Sequence, residues 1–183
     1  MAEAVASISS AADWIAEVSP EHHAWVSRLI RGYAITQMPQ GCELSSGSYQ
    51  SRPGLVHISM PLDKVLIAET LVHEASHQHY FLMNTVAKMV RPGPSQSVYS
   101  PIKKMQRPVD RTLFALHACH NIAAFFAKVR ASDASAAVEG RYELMAGYTR
   151  EMTGTLRRPN ELAPAGLALV ETLASQAPAI HAS

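Results

Sequence analysis

The sequence predicts a mainly α-helical chain with a minor β element, an α+β class with a small β-hairpin. Three observations predict it. Two long amphipathic runs, 63–90 and 108–132, are separated by a stretch with four prolines. The block GCELSSGSYQSRPGLVHISMP (41–61) interrupts helical periodicity with Gly, Ser and Pro and carries one alternating run, Leu55 to Met60. The chain has 183 residues, enough to bury a core without disulfides or structural metal.

Each element has a local reason. ISSAADWIAEVSPEHHAWVSRLIRGYAITQM (8–38) reads as two helices divided at Ser19-Pro20, with Ser19 as N-cap and Pro20 at the first helical position. The alternating run in 41–60 reads as one or two short strands forming a hairpin. Asp63 caps a long helix that runs to about Val90. RPGPSQSVYSPIKKMQRP (91–108) reads as a loop. A second long helix follows from Pro108 to Ser132, a third spans 134–156, and a short one, 163–177, closes the chain. The expected organisation is one domain, 1–183: N-terminal helices over 1–40, short strands over 41–60 and the functional helices over 61–183.

Composition excludes several classes. The net charge is +1, so nothing indicates nucleic-acid binding or a polybasic membrane anchor. No apolar run reads as a membrane span, and the N-terminus has an early acid and no basic region, unlike a signal peptide. Cys42 and Cys119 form no C-x-x-C pair and read as reduced thiols. The expected setting is the cytoplasm.

The chemistry concentrates in LVHEASHQHYF (71–81), where His73-Glu74-Ala75-Ser76-His77 is an H-E-x-x-H motif. On a helix His73 and His77 are i and i+4, so both imidazoles leave the same face and can grip one cation. Glu74 lies about 100° round and can reach a metal-bound water or support a ligand. His79 lies about 200° from His77 and faces elsewhere. Ile67, Leu71, Val72 and Phe81 surround the motif with apolar side chains, where unmetallated paired histidines would be costly.

A catalytic metal needs a further protein ligand. The long zinc-peptidase continuation of the motif would place Gly at 80 and His at 83; the chain has Tyr80 and Met83. The other large peptidase class takes a downstream Glu, and no Glu lies between Glu74 and Glu139. The interval offers His117 and His120 instead. Antiparallel packing of the two long helices could bring His117 opposite His73 and His77; either histidine can equally be a satisfied core residue. Just upstream, VYSPIKKMQRPVDR gathers Tyr99, Ser100, Lys103, Lys104, Arg107 and Arg111. An Arg fork with hydroxyl partners suits a small dicarboxylate, although a solvated basic loop has the same composition.

TLVHEASHQHYFLM, YSPIKKMQRPVDRTLFALHACHNIAAFF and ELAPAGLALVETLAS, in that order, resemble the HEXXH-motif 2-oxoglutarate-dependent peptide β-hydroxylases that modify ribosomally made peptides. The resemblance covers about residues 45–178. Ile102 stands where the family has an aromatic, and Ala118 follows the third histidine. The resemblance implies Fe(II) held by His73, His77 and His117, between the two long helices. It also implies 2-oxoglutarate as cosubstrate, its distal carboxylate anchored by Arg107 with Ser100 and Tyr99, and Glu74 supporting the ligands. Three protein ligands on octahedral iron leave positions for the keto-acid and for oxygen. The implied reaction is hydroxylation, at the β-carbon, of a peptide or amino-acid side chain. The substrate would be free, or presented on a leader peptide or carrier, in natural-product biosynthesis. Two other classes stay open: a zinc-dependent hydrolase or peptidase with Glu74 as general base, and a non-enzymatic metal-binding helical module.

Overall fold

Helix α1 (Ala2–Val18) buries Ile8, Ala11 and Ile15, a three-and-four spacing that gives one apolar stripe. The computed structural model describes residues 2–42, 44–94, 96–158 and 161–176; Ala177, the expected last helical residue, lies outside them. As expected, α1 ends at Ser19 and α2 (Pro20–Leu29) starts with Pro20 in its first turn. Ser19 does not cap through its side chain; its Oγ instead contacts His22 Nδ1 at 2.6 Å.

The second expected helix is shorter than its periodicity suggested. Gly32–Gln37 is a strand, β1, where a helix to Met38 was expected. The cause lies elsewhere in the chain. Arg31 and Gly32 both donate backbone N–H groups to the Gly54 carbonyl, which sets β1 in parallel register with β3 (Leu55–Met60), Gly32 opposite Leu55. Strand β2 (Ser46–Ser48) pairs antiparallel with β3, which is the expected hairpin. The sheet is therefore mixed, in the order β1-β3-β2. Gly54 turns the chain into β3 at φ +77, under the Arg31 side chain, where an added Cβ would come within 2.9 Å.

Asp63 caps α3 (Lys64–Val86) as expected, accepting from Leu66 N at 2.9 Å. The helix stops short of Val90 because that segment pairs with residues 161–163. Val90 bridges Leu162, Arg91 N donates to Glu161 O, and Ala163 N donates to Met89 O. The expected loop at 91–108 contains a second hairpin, β4 (Ser97–Ser100) against β5 (Met105–Pro108). Lys104, at φ 51, makes its turn. Helices α4 (Val109–Val129), α5 (Ala136–Leu156) and α6 (Pro164–Ser175) complete a mainly helical fold with two small sheets.

Among the described residues α4 alone is long and apolar enough to cross a membrane, contrary to the expectation that no run was. Most of it is buried in this fold. It packs on α3 and α5 and contributes Leu113, Leu116, Ile122, Phe125 and Phe126 to the core. Cys119, also on α4, is a buried free thiol, and Cys42 is an exposed one.

Two glycines report oppositely on packing. A Cβ on Gly166, in α6, would lie 2.1 Å from the Met89 carbonyl oxygen, whereas one on Gly154, in α5, meets nothing within 4 Å. Gly166→Ala should therefore cost about 1–3 kcal/mol through forced backbone movement. Gly154→Ala should raise stability by roughly 0.5–1 kcal/mol through helix propensity. Urea denaturation midpoints of the two variants check both signs.

Candidate functional site

The motif lies in the middle of α3, which packs against α1, α2, β2 and α4. His73 and His77 project together as their spacing required, with ring centroids 4.3 Å apart and planes at 75°. His73 is partly open, its side chain 38% exposed. Phe114 of α4 stacks flat on the His77 ring at 3.8 Å and 7°. Phe81 stacks on Phe114 in turn, and Tyr80 meets it edge-on. This aromatic wall shields one side of His77 from water.

Glu74 is buried. Its Oε1 accepts from Ser46 Oγ of β2 at 2.6 Å and lies 3.9 Å from His73 Nε2. Ser48, two residues along the same strand and so on the same face, has its Oγ 3.5 Å from the Glu74 carbonyl. The sheet thus holds the motif carboxylate. Sequence reading missed Ser46: Ser-Gly-Ser signals a turn-prone strand, and nothing in it announces a carboxylate opposite. Two buried polar atoms of the motif, Glu74 Oε2 and His77 Nδ1, have no hydrogen-bond partner among the described residues.

Burial, with the neighbouring His73 and His117, pushes the His77 pKa down to about 2. His77 is therefore neutral through the physiological range, the state a metal ligand requires. The His73 and His77 imidazoles, on one helix face with the Glu74 carboxylate 3.9 Å from His73 Nε2, could offer two positions to a divalent cation.

The three-histidine set is not assembled in this arrangement. His117 is buried and faces His79, at 5.3 Å between centroids, with Tyr80 at 6.1 Å. Its Nδ1 lies 3.1 Å from the Ser76 carbonyl, and its Nε2 3.3 Å from Asn121 Nδ2. With Nδ1–H donating and Nε2 accepting, both nitrogens are committed. His79 points away from His77, as the helical phase required, toward Trp25 and His117. His120 is buried with Nδ1 unpartnered. Among the described residues no group of three or more His, Cys, Asp or Glu side chains is placed to hold a metal ion.

The expected anion residues lie on the β4–β5 hairpin rather than in an irregular loop. Val98 pairs with Arg107, and Ser100 with Met105. Alternation then puts Arg107 and Ser100 on one face and Tyr99 with Gln106 on the other. Ser100 is fully buried and its Oγ has no partner among the described residues; Tyr99 is exposed. Arg107 is half-buried and makes no ion pair among the described residues. Arg111 pairs loosely with Asp110, at 3.8 Å on the surface. Together they border a cleft of about 270 Å³ with Lys88 and Asn84, whose wall includes Tyr80, Phe81 and Phe114.

Two outcomes follow. Ser46→Ala leaves a buried carboxylate oxygen without its donor and should cost about 1–3 kcal/mol. Ser48→Ala, whose contact is longer, should cost less; chemical denaturation of both variants decides. The pH dependence comes from His77 and His117, pushed down to about 2 and about 3, chiefly by burial. Below the ordinary imidazole pKa of about 6.5 the unfolded chain takes up protons that the folded chain refuses. Stability is thus complete above that value and falls as pH drops toward 3. The loss is about 2 kcal/mol per histidine by pH 5. Metal-free protein unfolded in urea between pH 4 and pH 8 should show this slope, and His117→Asn should shrink it.

The chain matches no protein-family model, and no curated protein matches its sequence.

Proposed function

We propose that the chain is an Fe(II)- and 2-oxoglutarate-dependent oxygenase that hydroxylates a side chain, at the β-carbon, of a peptide or amino-acid substrate. The observation that carries this reading is the shared face of Arg107 and Ser100. A guanidinium with no acid partner among the described residues sits on the same hairpin face as a buried hydroxyl with no partner. Such a pair grips a carboxylate, which a simple hydrolase does not need. The hairpin leads directly into α4, the helix that seats Phe114 on His77.

In this proposal His73 and His77 hold the iron, and His117 fits as a third ligand only by giving up Ser76 or Asn121. When bound, iron and 2-oxoglutarate would let dioxygen serve as the oxidant, one oxygen atom entering the succinate left by decarboxylation and the other the substrate C–H bond. The protein's own part is positioning. Arg107 and Ser100 orient the distal carboxylate. Phe114, Phe81 and Tyr80 exclude water beside His77. Ser46 holds Glu74 and, through it, the orientation of the pair.

One observation favours a second reading, a zinc-dependent hydrolase. Glu74 has its buried Oε2 without a partner among the described residues, while its Oε1 lies 3.9 Å from His73 Nε2, and it could take a proton from a bound water.

Anaerobic loading with Fe(II), then addition of 2-oxoglutarate, tests the proposal. The expected result is a visible charge-transfer band in the wild type and its loss with iron in His73→Ala and His77→Ala. Arg107→Ala should weaken 2-oxoglutarate about 30- to 1000-fold, with Arg107→Lys rescuing only in part because the fork is lost. Iron retained by His117→Asn matches the hydrogen bonds of His117; iron lost there would show that metal draws the ring from Ser76. A wild type that binds iron but no 2-oxoglutarate would sink the oxygenase, and peptide cleavage by the zinc form that vanishes in Glu74→Gln would establish the hydrolase.

A further inference from the structure

A second site lies where α2, the Gly54 turn and the back of α3 meet. A cleft of about 240 Å³ opens there, bordered by Arg28, Arg31, Gln78, Pro53, Phe81 and Leu82. None of them lies within His73–His77 or on the hairpin, and Phe81 alone is shared with the aromatic wall beside His77.

Its polar side chains are Arg28, Arg31, Gln50, Gln78 and Thr85, with no acid in the lining. Arg28 and Arg31 are exposed at its edge, and neither pairs with an acid among the described residues. Gln78 is 4% exposed. Its Oε1 accepts from Gly54 N at 3.0 Å, which identifies Nε2 as its donor, and that Nε2 is buried without a partner. A buried amide donor left unmatched is costly, and the arginines beside it supply positive charge and further N–H groups.

The cleft is also built in place. The Arg31 side chain crosses the bare Cα of Gly54, with Arg31 Cγ 2.9 Å and Cβ 3.1 Å from where a Cβ would be. Arg31 N donates to Gly54 O, and Gly54 N donates to Gln78. One glycine thus positions the stem of one arginine and orients the amide. The lining also includes the apolar Leu29, Pro53, Phe81 and Leu82.

We infer that this cleft binds a small organic carboxylate with an apolar body. The carboxylate meets Arg28 and Arg31, whose forked guanidinium groups match its two oxygens, and the Gln78 amide lies at the same wall. The hydrocarbon part covers Phe81, Leu82 and Pro53. A free phosphate presents charge on every side and would leave that apolar wall wet, so the lining selects a carboxylate.

Benzoate is the probe, titrated into the full chain and followed by ligand-observed NMR, with benzamide and inorganic phosphate as comparisons. The expected result is saturable benzoate binding, with benzamide and phosphate at least about tenfold weaker. Arg28→Ala and Arg31→Gln should each weaken benzoate about tenfold or more. Gln78→Glu keeps the acceptor for Gly54 N but replaces the donor with a negative oxygen, and should abolish binding. Arg150→Ala removes the same charge from α5 and should change nothing. Should Arg31→Gln disturb the Gly54 turn, Arg28→Ala still decides, because its backbone makes no contact with that turn among the hydrogen bonds described. Absence of benzoate binding, equal binding of benzamide or of phosphate, or full affinity in both arginine variants would overturn the inference.

Discussion

Helix α3 is packed on nearly every side, and its polar groups must therefore find partners within the protein. Four of them find one in another element. Glu69 takes a bidentate pair from Arg141 of α5, with Nε 2.5 Å from Oε2. Glu74 takes Ser46 of β2, Gln78 takes the Gly54 N–H, and the Ser76 carbonyl takes His117 of α4. One helix thus ties the sheet, the turn before β3 and two further helices to its own rotation. A slip of one residue in α3 would break all four contacts at once, since each would move about 100° round the axis. The orientation of the motif is a consequence of this over-determination.

The same burial sets the chemistry of the histidines. His77, His79, His117 and His120 all have pKa values lowered, burial being the first cause in every one. Neutral imidazoles make the interior compatible with apolar neighbours such as Phe114. They also leave lone pairs for a cation where no backbone carbonyl or amide claims them. The distinction between a ligand and a core residue is then one of hydrogen bonds. His117 has both nitrogens claimed, whereas His77 keeps a buried nitrogen unclaimed. Glu69 near Cys119 contributes in the opposite sense: burial first, and then that carboxylate, push the Cys119 thiol up to about 12. The thiol therefore stays protonated, and it packs as a small apolar side chain.

Arginines without acid partners among the described residues border two separate places. Arg107 shares a hairpin face with Ser100, and Arg28 and Arg31 flank Gln78 across α3. Arg141 with Glu69, Arg130 with Glu139 and Arg157 with Glu171 are paired instead, while Arg52, Arg91, Arg150 and Arg158 make no ion pair among the described residues and border neither place. The near-neutral net charge hides this division, because balance over the whole chain says nothing about which charges meet.

Local rules in the sequence determined much. The cap at Asp63, the break at Ser19-Pro20, the helical phase that joins His73 with His77 and turns His79 away, and the mainly helical class were all legible, because each depends on residues within one or two turns. Tertiary structure decided what local pattern could not. GYAITQ became a strand because Gly54, more than fifteen residues away, offers a carbonyl that starts its register. The loop at 91–108 became a hairpin whose pairing separates Tyr99 from Arg107 and Ser100. Ser46 became the partner of Glu74, and His117 the partner of Ser76, because a buried polar group takes whichever matching group the packing brings within about 3 Å. That choice is made across elements, and no spacing along the chain encodes it.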